Sequence, residues 1–493
     1  MRQNSNEHLD GDGATAETTE VATVSLCDLP MDVLLHILSQ LPINDVVRTS
    51  ILSRKGKYMW RSHTNLSFDS TTVRKHYFKS PVDYGILTNM EFVARVDIVL
   101  LQHNGGGVDY MEIKYRLHNS YAYHIDRWVN FAIASKTKKL IIDLSGSDCW
   151  LFFRNLSCSN VKERDRDEPY RLPLQLFSAD NGSYLLRLEL ASVSLHLPTG
   201  FKGFLNLKNF ILVDVSISNE DVQCMLSKCN LLECFKISYC RSIASIRTPR
   251  PLNQLNHLVV DNCPMLRKIE LNGSPTTFEY TGTVIPFAFA STSRPTNVSI
   301  KFLTNHAALD FIVNELPSVL PRLESLTLHC VERERTILPG RPFQFSYLQH
   351  LNLELKILGD KNGKTDVLDY AHVLEVAPFI EKLDLHMYVN CWCQKPYRKE
   401  DGELRIHLPH QHDHLKFVHI SGFCGYKDQV ELALHILRSA VILEKMRITP
   451  RVEITGFDES RKQFYERSNY VDGHKVATEF VRNADERKVV EVV

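Results

Sequence analysis

Ten times along this chain bulky apolar residues recur in the spacing L-x-x-L-x-L, and that recurrence limits the fold more than any other feature. The copies are Leu185-Leu188-Leu190, Leu207-Phe210-Leu212, Leu232-Phe235-Ile237, Leu255-Leu258-Val260, Leu266-Ile269-Leu271, Leu323-Leu326-Leu328, Leu348-Leu351-Leu353, Ile380-Leu383-Leu385, Leu415-Val418-Ile420 and Leu443-Met446-Ile448. The last two apolar positions of each copy are two residues apart, so they point to one side of a strand while their neighbours point to the other. A single copy has too little apolar surface to fold alone. Copies stacked side by side enclose one continuous core, with a return segment closing each turn of the coil.

The first copies begin 22, 25 and 23 residues apart, and later steps of 32, 35 and 28 indicate inserted loops. This spacing resembles that of leucine-rich repeats. The expected body is therefore α/β, an irregular leucine-rich-repeat solenoid with a parallel sheet on its concave side and helices and loops outside. Asn219 to Cys229, with Val222, Met225 and Leu226 at helical spacing, reads as one outer helix. Upstream, Asn65 to Asp69 alternates like a first strand, residues 86 to 101 read as an apolar helix leading into a strand, and Asp126 to Leu144 as a helix feeding a strand. Residues 272 to 322 are the weakest stretch, since Phe278-Tyr280 and Val298-Ile300 alternate without a full repeat.

Alternation also marks where a target would bind. Residues before and between the inward pair face the open inner surface, which makes Arg187, Glu189, Lys236, His257, Lys268, His350, Lys382, Asp384 and His419 the binding candidates. They are polar and of both signs, which suits a protein surface or a small ligand.

The N-terminal part follows different rules. Between residues 25 and 60, Leu34, Ile37, Leu38 and Leu41 form a helical stripe that Asp28 can cap and Pro42 stops. Asn44 can cap a second helix carrying Val46, Val47 and Ser50, and Ser53 a third carrying Met59 and Trp60. Helices this short cannot enclose so much apolar surface, so the surplus is expected to meet another chain. The set Leu29, Pro30, Leu34, Ile37, Leu38, Leu41, Pro42, Val46, Val47, Ser50, Leu52, Ser53 and Trp60 resembles the F-box. That resemblance implies docking through these residues onto a Skp-type adaptor and, through it, a cullin and a RING subunit of a ubiquitin ligase. One departure is Gly56, where plant F-boxes carry Trp. Glycine costs about 1 kcal/mol in a helix interior, and losing a packed aromatic costs roughly 3 to 5 kcal/mol, so the departure bears on the strength of adaptor binding.

Residues 414 to 451 carry a second resemblance. Leu415-Lys416, Val418, Ile420, Gly422-Phe423, Gly425, Gln429, Glu431-Leu432, Ile436-Leu437, Ala440 and Leu443 to Ile448 resemble the FBD module of plant F-box and leucine-rich-repeat proteins. Their own pattern reads strand, Gly-rich turn, amphipathic helix, strand. The organisation expected is a disordered leader at 1–24, an F-box at 25–69, a solenoid at 70–405, an FBD-like cap at 406–451 and a charged tail, helical or loose, at 452–493.

The remaining signals narrow the function class. The 58 basic and 58 acidic residues balance, which argues against nucleic acid or anionic membrane as partner. No run of 18 apolar residues and no secretory signal is present, so an intracellular protein, nuclear and/or cytoplasmic, is expected. Its 12 Cys then read as free thiols or small buried residues. Cys391 and Cys393 with His407, His410, His412, His414 and Cys424 offer zinc-type donors, but a C-x-C without a second clean pair does not define a site. A His-rich loop beside core Cys explains the same letters, and neither metal nor cofactor is expected. There is no G-x-S-x-G and no HExxH, and Gly105-Gly106-Gly107 lacks the Lys-Ser/Thr of a phosphate-binding loop. The reading is a non-catalytic receptor that binds a protein substrate; the alternative, which Gly56 leaves open, is a repeat scaffold not engaged in a ubiquitin ligase.

Overall fold

The computed structural model describes residues 29–41, 43–49, 56–72, 88–104, 106–146, 168–177, 184–248, 250–273, 275–289, 295–303, 310–332, 344–357, 366–389, 395–405, 411–454 and 472–493. Among these, fifteen strands form one parallel sheet whose spatial order is the order of the chain, from β1 (Asn65–Asp69), β2 (Tyr110–Lys114) and β3 (Lys139–Asp143) to Val490–Val492. This is the topology a coil produces, each turn adding one strand beside the last.

Register holds across the whole sheet. Leu188 pairs with Phe210, Phe210 with Phe235, Phe235 with Leu258, and the row continues through Leu326, Leu351, Leu383 and Val418 to Met446. Both apolar positions of each repeat are therefore stacked on their counterparts and buried. A slip of one residue would turn a whole row out to solvent, so the core itself enforces alignment.

Several strands end on a residue in the left-handed region: Ser192, Asp214, Tyr239 and Asn262 have φ between 48° and 58°. Each donates its N–H to the next turn of the coil, as Ser192 does to Val213 and Asp214 to Ser238. The corner redirects the chain without leaving a backbone donor unpaired. At Gly422 the same corner is made with φ of 70°.

Nine of the ten repeats lie in the large sheet. The exception is Leu266-Ile269-Leu271, whose strand Lys268–Leu271 sits in a separate three-stranded sheet between Ser245–Arg247 and Phe287–Phe289. It starts only 11 residues after the preceding copy, half of what a full turn of the coil takes, so it falls on another side of the same turn. The rungs missing from that interval are Thr277–Gly282 and Asn297–Phe302, whose inward residues are Phe278-Tyr280 and Val298-Ile300. Both lack the leading Leu, which is why the weakest stretch in the sequence holds two complete rungs.

The first turns carry helices outside. Residues 89 to 102 are helical throughout, and the strand expected at their end comes later, at β2. This helix, α3 (Asn89–Gln102), starts with a reciprocal cap in which Thr88 and Glu91 exchange side-chain and backbone hydrogen bonds. It is joined to α4 (Ala122–Ala134) through Asp97, which accepts from Trp128 Nε1 and bonds His124 Nδ1, both at 2.7 Å. Further on, Asn219–Lys228 forms the outer helix expected there, buried through Val222, Met225 and Leu226.

At the C-terminal end the strand, turn, helix and strand appear as Phe417–Ser421, Lys427–Ser439 and Lys445–Thr449. The helix was expected to be amphipathic, yet every residue from Asp428 to Leu437 is buried. Its outer face is covered by the segment expected as a charged tail, which supplies helical turns at Ala477–Val481 and the last strand, Val490–Val492. Arg487 fastens that segment by donating to the carbonyls of Leu437, Ala440 and Val441 at the helix end.

Candidate functional site

The N-terminal helices are α1 (Met31–Ser39), α2 (Ile43–Thr49) and a 3₁₀ helix, Gly56–Ser62. Asp28, Pro42, Leu52 and Ser53 lie outside the described residues. Pro30 occupies the N-cap of α1 with no side-chain cap, and Asn44 lies inside α2 and not at its start. Gly56 opens the 3₁₀ helix, so the cost expected for glycine in a helix interior does not arise there.

Burial sorts the F-box residues into two groups. Leu34, Ile43, Val46 and Met59 face inward, and Trp60 packs against the core of the solenoid. Leu34, Val46 and Trp60, expected to meet the adaptor, thus stand on the inner side of the element in this chain, Trp60 only half-buried. Met31, Val33, Ile37, Leu41 and Val47 face outward, with 37 to 49% of each exposed. Pro30 is exposed, whereas Leu29 and Leu38 are half-buried. Met31 and Val33 belong to this outer set although periodicity did not single them out.

His63 holds this element to the body, and nothing in the sequence pattern pointed to it. Its Nδ1 accepts from the N–H of Asn65, which leaves the proton on Nε2 to donate to the carbonyls of Leu38 at 3.1 Å and Leu41 at 3.0 Å. Asn65 Nδ2 donates to Ser39 O, and His103 Nε2 bonds the His63 carbonyl at 2.9 Å. The carbonyls that end α1 are thus satisfied by the start of β1.

The second region is the open face of the large sheet. Its polar side chains pair with one another: Arg187 with Glu189 at 2.9 Å and Lys382 with Asp384 at 2.7 Å as ion pairs, and His257 Nε2 with Glu279 Oε1 at 2.9 Å. Lys236 and His350 lie on the same face. Lys268 does not; it belongs to the small sheet, where it pairs with Glu270 at 3.2 Å. The face becomes rich in histidine towards its C-terminal end. His329 is in register with Glu354, Glu354 with His386, and His386 with Ser421, while Asp384 is in register with His419. Burial holds the His419 pKa below its ordinary value, an effect partly opposed by the Glu453 carboxylate.

Of the Cys and His donors noted in the sequence, Cys391, Cys393, His407 and His410 lie outside the described residues. Cys424 is buried, its thiol bonded to the Gly422 carbonyl, and burial pushes its pKa up to about 12.

A parallel sheet that gains one strand per turn of the coil defines a leucine-rich-repeat fold, here led by a short apolar helical element. Residues 99–486 match the family model described as At1g61320/AtMIF1, LRR domain, and residues 26–67 match the F-box domain. The chain belongs to this family of leucine-rich-repeat proteins. Among curated relatives from Arabidopsis thaliana, it is 28% identical to F-box/FBD/LRR-repeat protein At1g13570 over 50% of this chain and 53% of that protein. It is 27% identical to F-box/FBD/LRR-repeat protein At5g56420 over 52% and 50%, and 30% identical to FBD-associated F-box protein At5g56370 over 43% of each. The chain thus spans about half the length of the curated relatives it matches. Among the described residues no helix is long and apolar enough to cross a membrane.

Proposed function

We propose that this protein is the substrate-recognition subunit of a ubiquitin ligase built on a Skp-type adaptor and a cullin. The observation that carries the reading is the outward apolar set Met31, Val33, Ile37, Leu41 and Val47, on an element whose inner side already rests on the solenoid. Apolar surface gathered on so small an element fits a partner. In this reading residues 25–69 dock the adaptor, the repeats from 70 to 405 hold a target through the open sheet face, and the module at 406–451 with its C-terminal covering closes the coil. The chain does no chemistry; it holds a target lysine near a thioester carried by another protein, which raises its effective concentration. Nuclear or cytoplasmic residence is part of the same proposal.

The test is adaptor binding by Ile37→Asp and Val47→Asp in the full chain. Each is expected to weaken binding about 30-fold or more, the equivalent of about 2 kcal/mol, with the melting temperature unchanged because both positions are exposed. Undiminished adaptor recovery by both variants would refute the docking assignment. That result would favour a second reading, a repeat scaffold outside any ligase, to which Gly56 in place of Trp already points.

A further inference from the structure

We propose that His386, His419 and Glu453 form a binding site for a divalent transition cation of the zinc class on the open face of the sheet. One donor atom from each lies within 4.8 Å of the others. His386 and His419 stand on neighbouring strands, Lys382–Val389 and Phe417–Ser421, with ring centroids 5.4 Å apart and planes at 88°. Glu453 reaches over them from beyond the strand Lys445–Thr449.

The hydrogen-bond pattern presents the right atoms. His386 Nδ1 bonds Ser421 Oγ at 2.7 Å, so with Nδ1–H donating, Nε2 offers its lone pair to a ligand. His419 directs Nδ1 towards Asp384 Oδ1 at 3.9 Å, while its Nε2 is buried without a hydrogen-bond partner, 3.5 Å from Glu453 Oε2. A buried ring nitrogen left unbonded beside a carboxylate is costly unless something sits between them. Ser421 takes the outer position that orients a metal-bound histidine, and the Asp384 carboxylate lies on the Nδ1 side of His419.

Two imidazoles and one carboxylate select zinc, cobalt or nickel over magnesium and calcium, and three protein ligands leave one position open to water or a target side chain. Ligand bonds of about 2.1 Å bring tetrahedral donors to about 3.4 Å of one another, a closure that side-chain rotation on an open face can supply. Arg447 is in register with His419 and offsets part of the local negative charge, so moderate affinity is expected. The site stands independently of adaptor docking.

The experiment uses untagged full-length protein, stripped with a chelator and titrated with Zn²⁺ or Co²⁺ alone against a chromophoric competitor. Wild type is expected to bind one equivalent more than the double variant His386→Ala/His419→Ala, and the Co²⁺ lost with those histidines should show d–d bands without thiolate charge transfer. Glu453→Gln, on an exposed side chain, keeps the fold and should weaken that equivalent at least about tenfold. Equal stoichiometry in wild type and double variant, or unchanged affinity in Glu453→Gln, overturns the site. Should the double variant fail to fold, the Glu453→Gln titration decides alone.

Discussion

Replacing Gly422 by alanine places a methyl group where the backbone already stands. A Cβ built at Gly422 lies 1.8 Å from the carbonyl oxygen of Met387, and no side-chain rotation can relieve contact with a backbone atom. The left-handed conformation costs alanine about 1 to 2 kcal/mol. Opening the contact also strains the bond from Gly422 N to Arg451 O, 2.7 Å, and the one from Gln429 Nε2 to Gly422 O, 3.3 Å, at about 1 kcal/mol each. The total is about 4 kcal/mol, large for one methyl group. Gly200→Ala is the control: φ there is 84°, but no heavy atom lies within 4 Å of the added carbon, so only the conformational cost applies. Ser192, Asp214, Tyr239 and Asn262 show that the left-handed corner alone is tolerated in this coil. Urea unfolding with peptide-level hydrogen exchange over residues 380 to 450 should place Gly422→Ala about 2 kcal/mol or more below Gly200→Ala. Equal destabilisation of the two would refute the claim that the approach of Met387 decides this position.

His63→Ala removes the donor shared by the Leu38 and Leu41 carbonyls, so amides 31 to 49 should exchange at least about tenfold faster while the solenoid is unchanged; equal protection in the variant would deny His63 its anchoring role. Arg405→Ala leaves Glu431, whose side chain is fully buried, without the guanidinium that pairs with it. A loss of about 3 kcal/mol is expected, read as a lower denaturation midpoint, and Arg405→Lys should restore only part of it because the bidentate contact is gone. Asp428 is buried, which pushes its pKa up to about 6 despite hydrogen bonds from the N–H groups of Val367 and Gln429. The native state therefore takes up this proton before the unfolded state does. The contribution to stability grows as pH falls from about 6 towards 4, by up to about 1.4 kcal/mol per unit, and is lost on the way back up. Asp428→Asn should flatten the wild-type curve in that window; an unchanged slope would refute the assignment.

The sequence alone determined what depends on near neighbours in the chain. A period of two in Leu188-Leu190 or Leu383-Leu385 decides which side chains face inward whatever the neighbouring strand is, and Val222, Met225 and Leu226 define a helix face in the same local way. Hence the repeats, the outer helices and the strand–turn–helix–strand order of the C-terminal module could all be read. Tertiary structure alone decided what depends on closing the coil. Lys268 lies in the small sheet because 11 residues do not complete a turn, and Phe278-Tyr280 became a rung because their neighbours on both sides were rungs. Val33 faces out and Leu34 in because β1 and the solenoid core occupy one side of the short helices, a fact held by long-range contacts and by His63. The meeting of His386, His419 and Glu453 belongs to the same class: residues 67 positions apart become neighbours because each turn of a parallel coil brings the chain back beside itself.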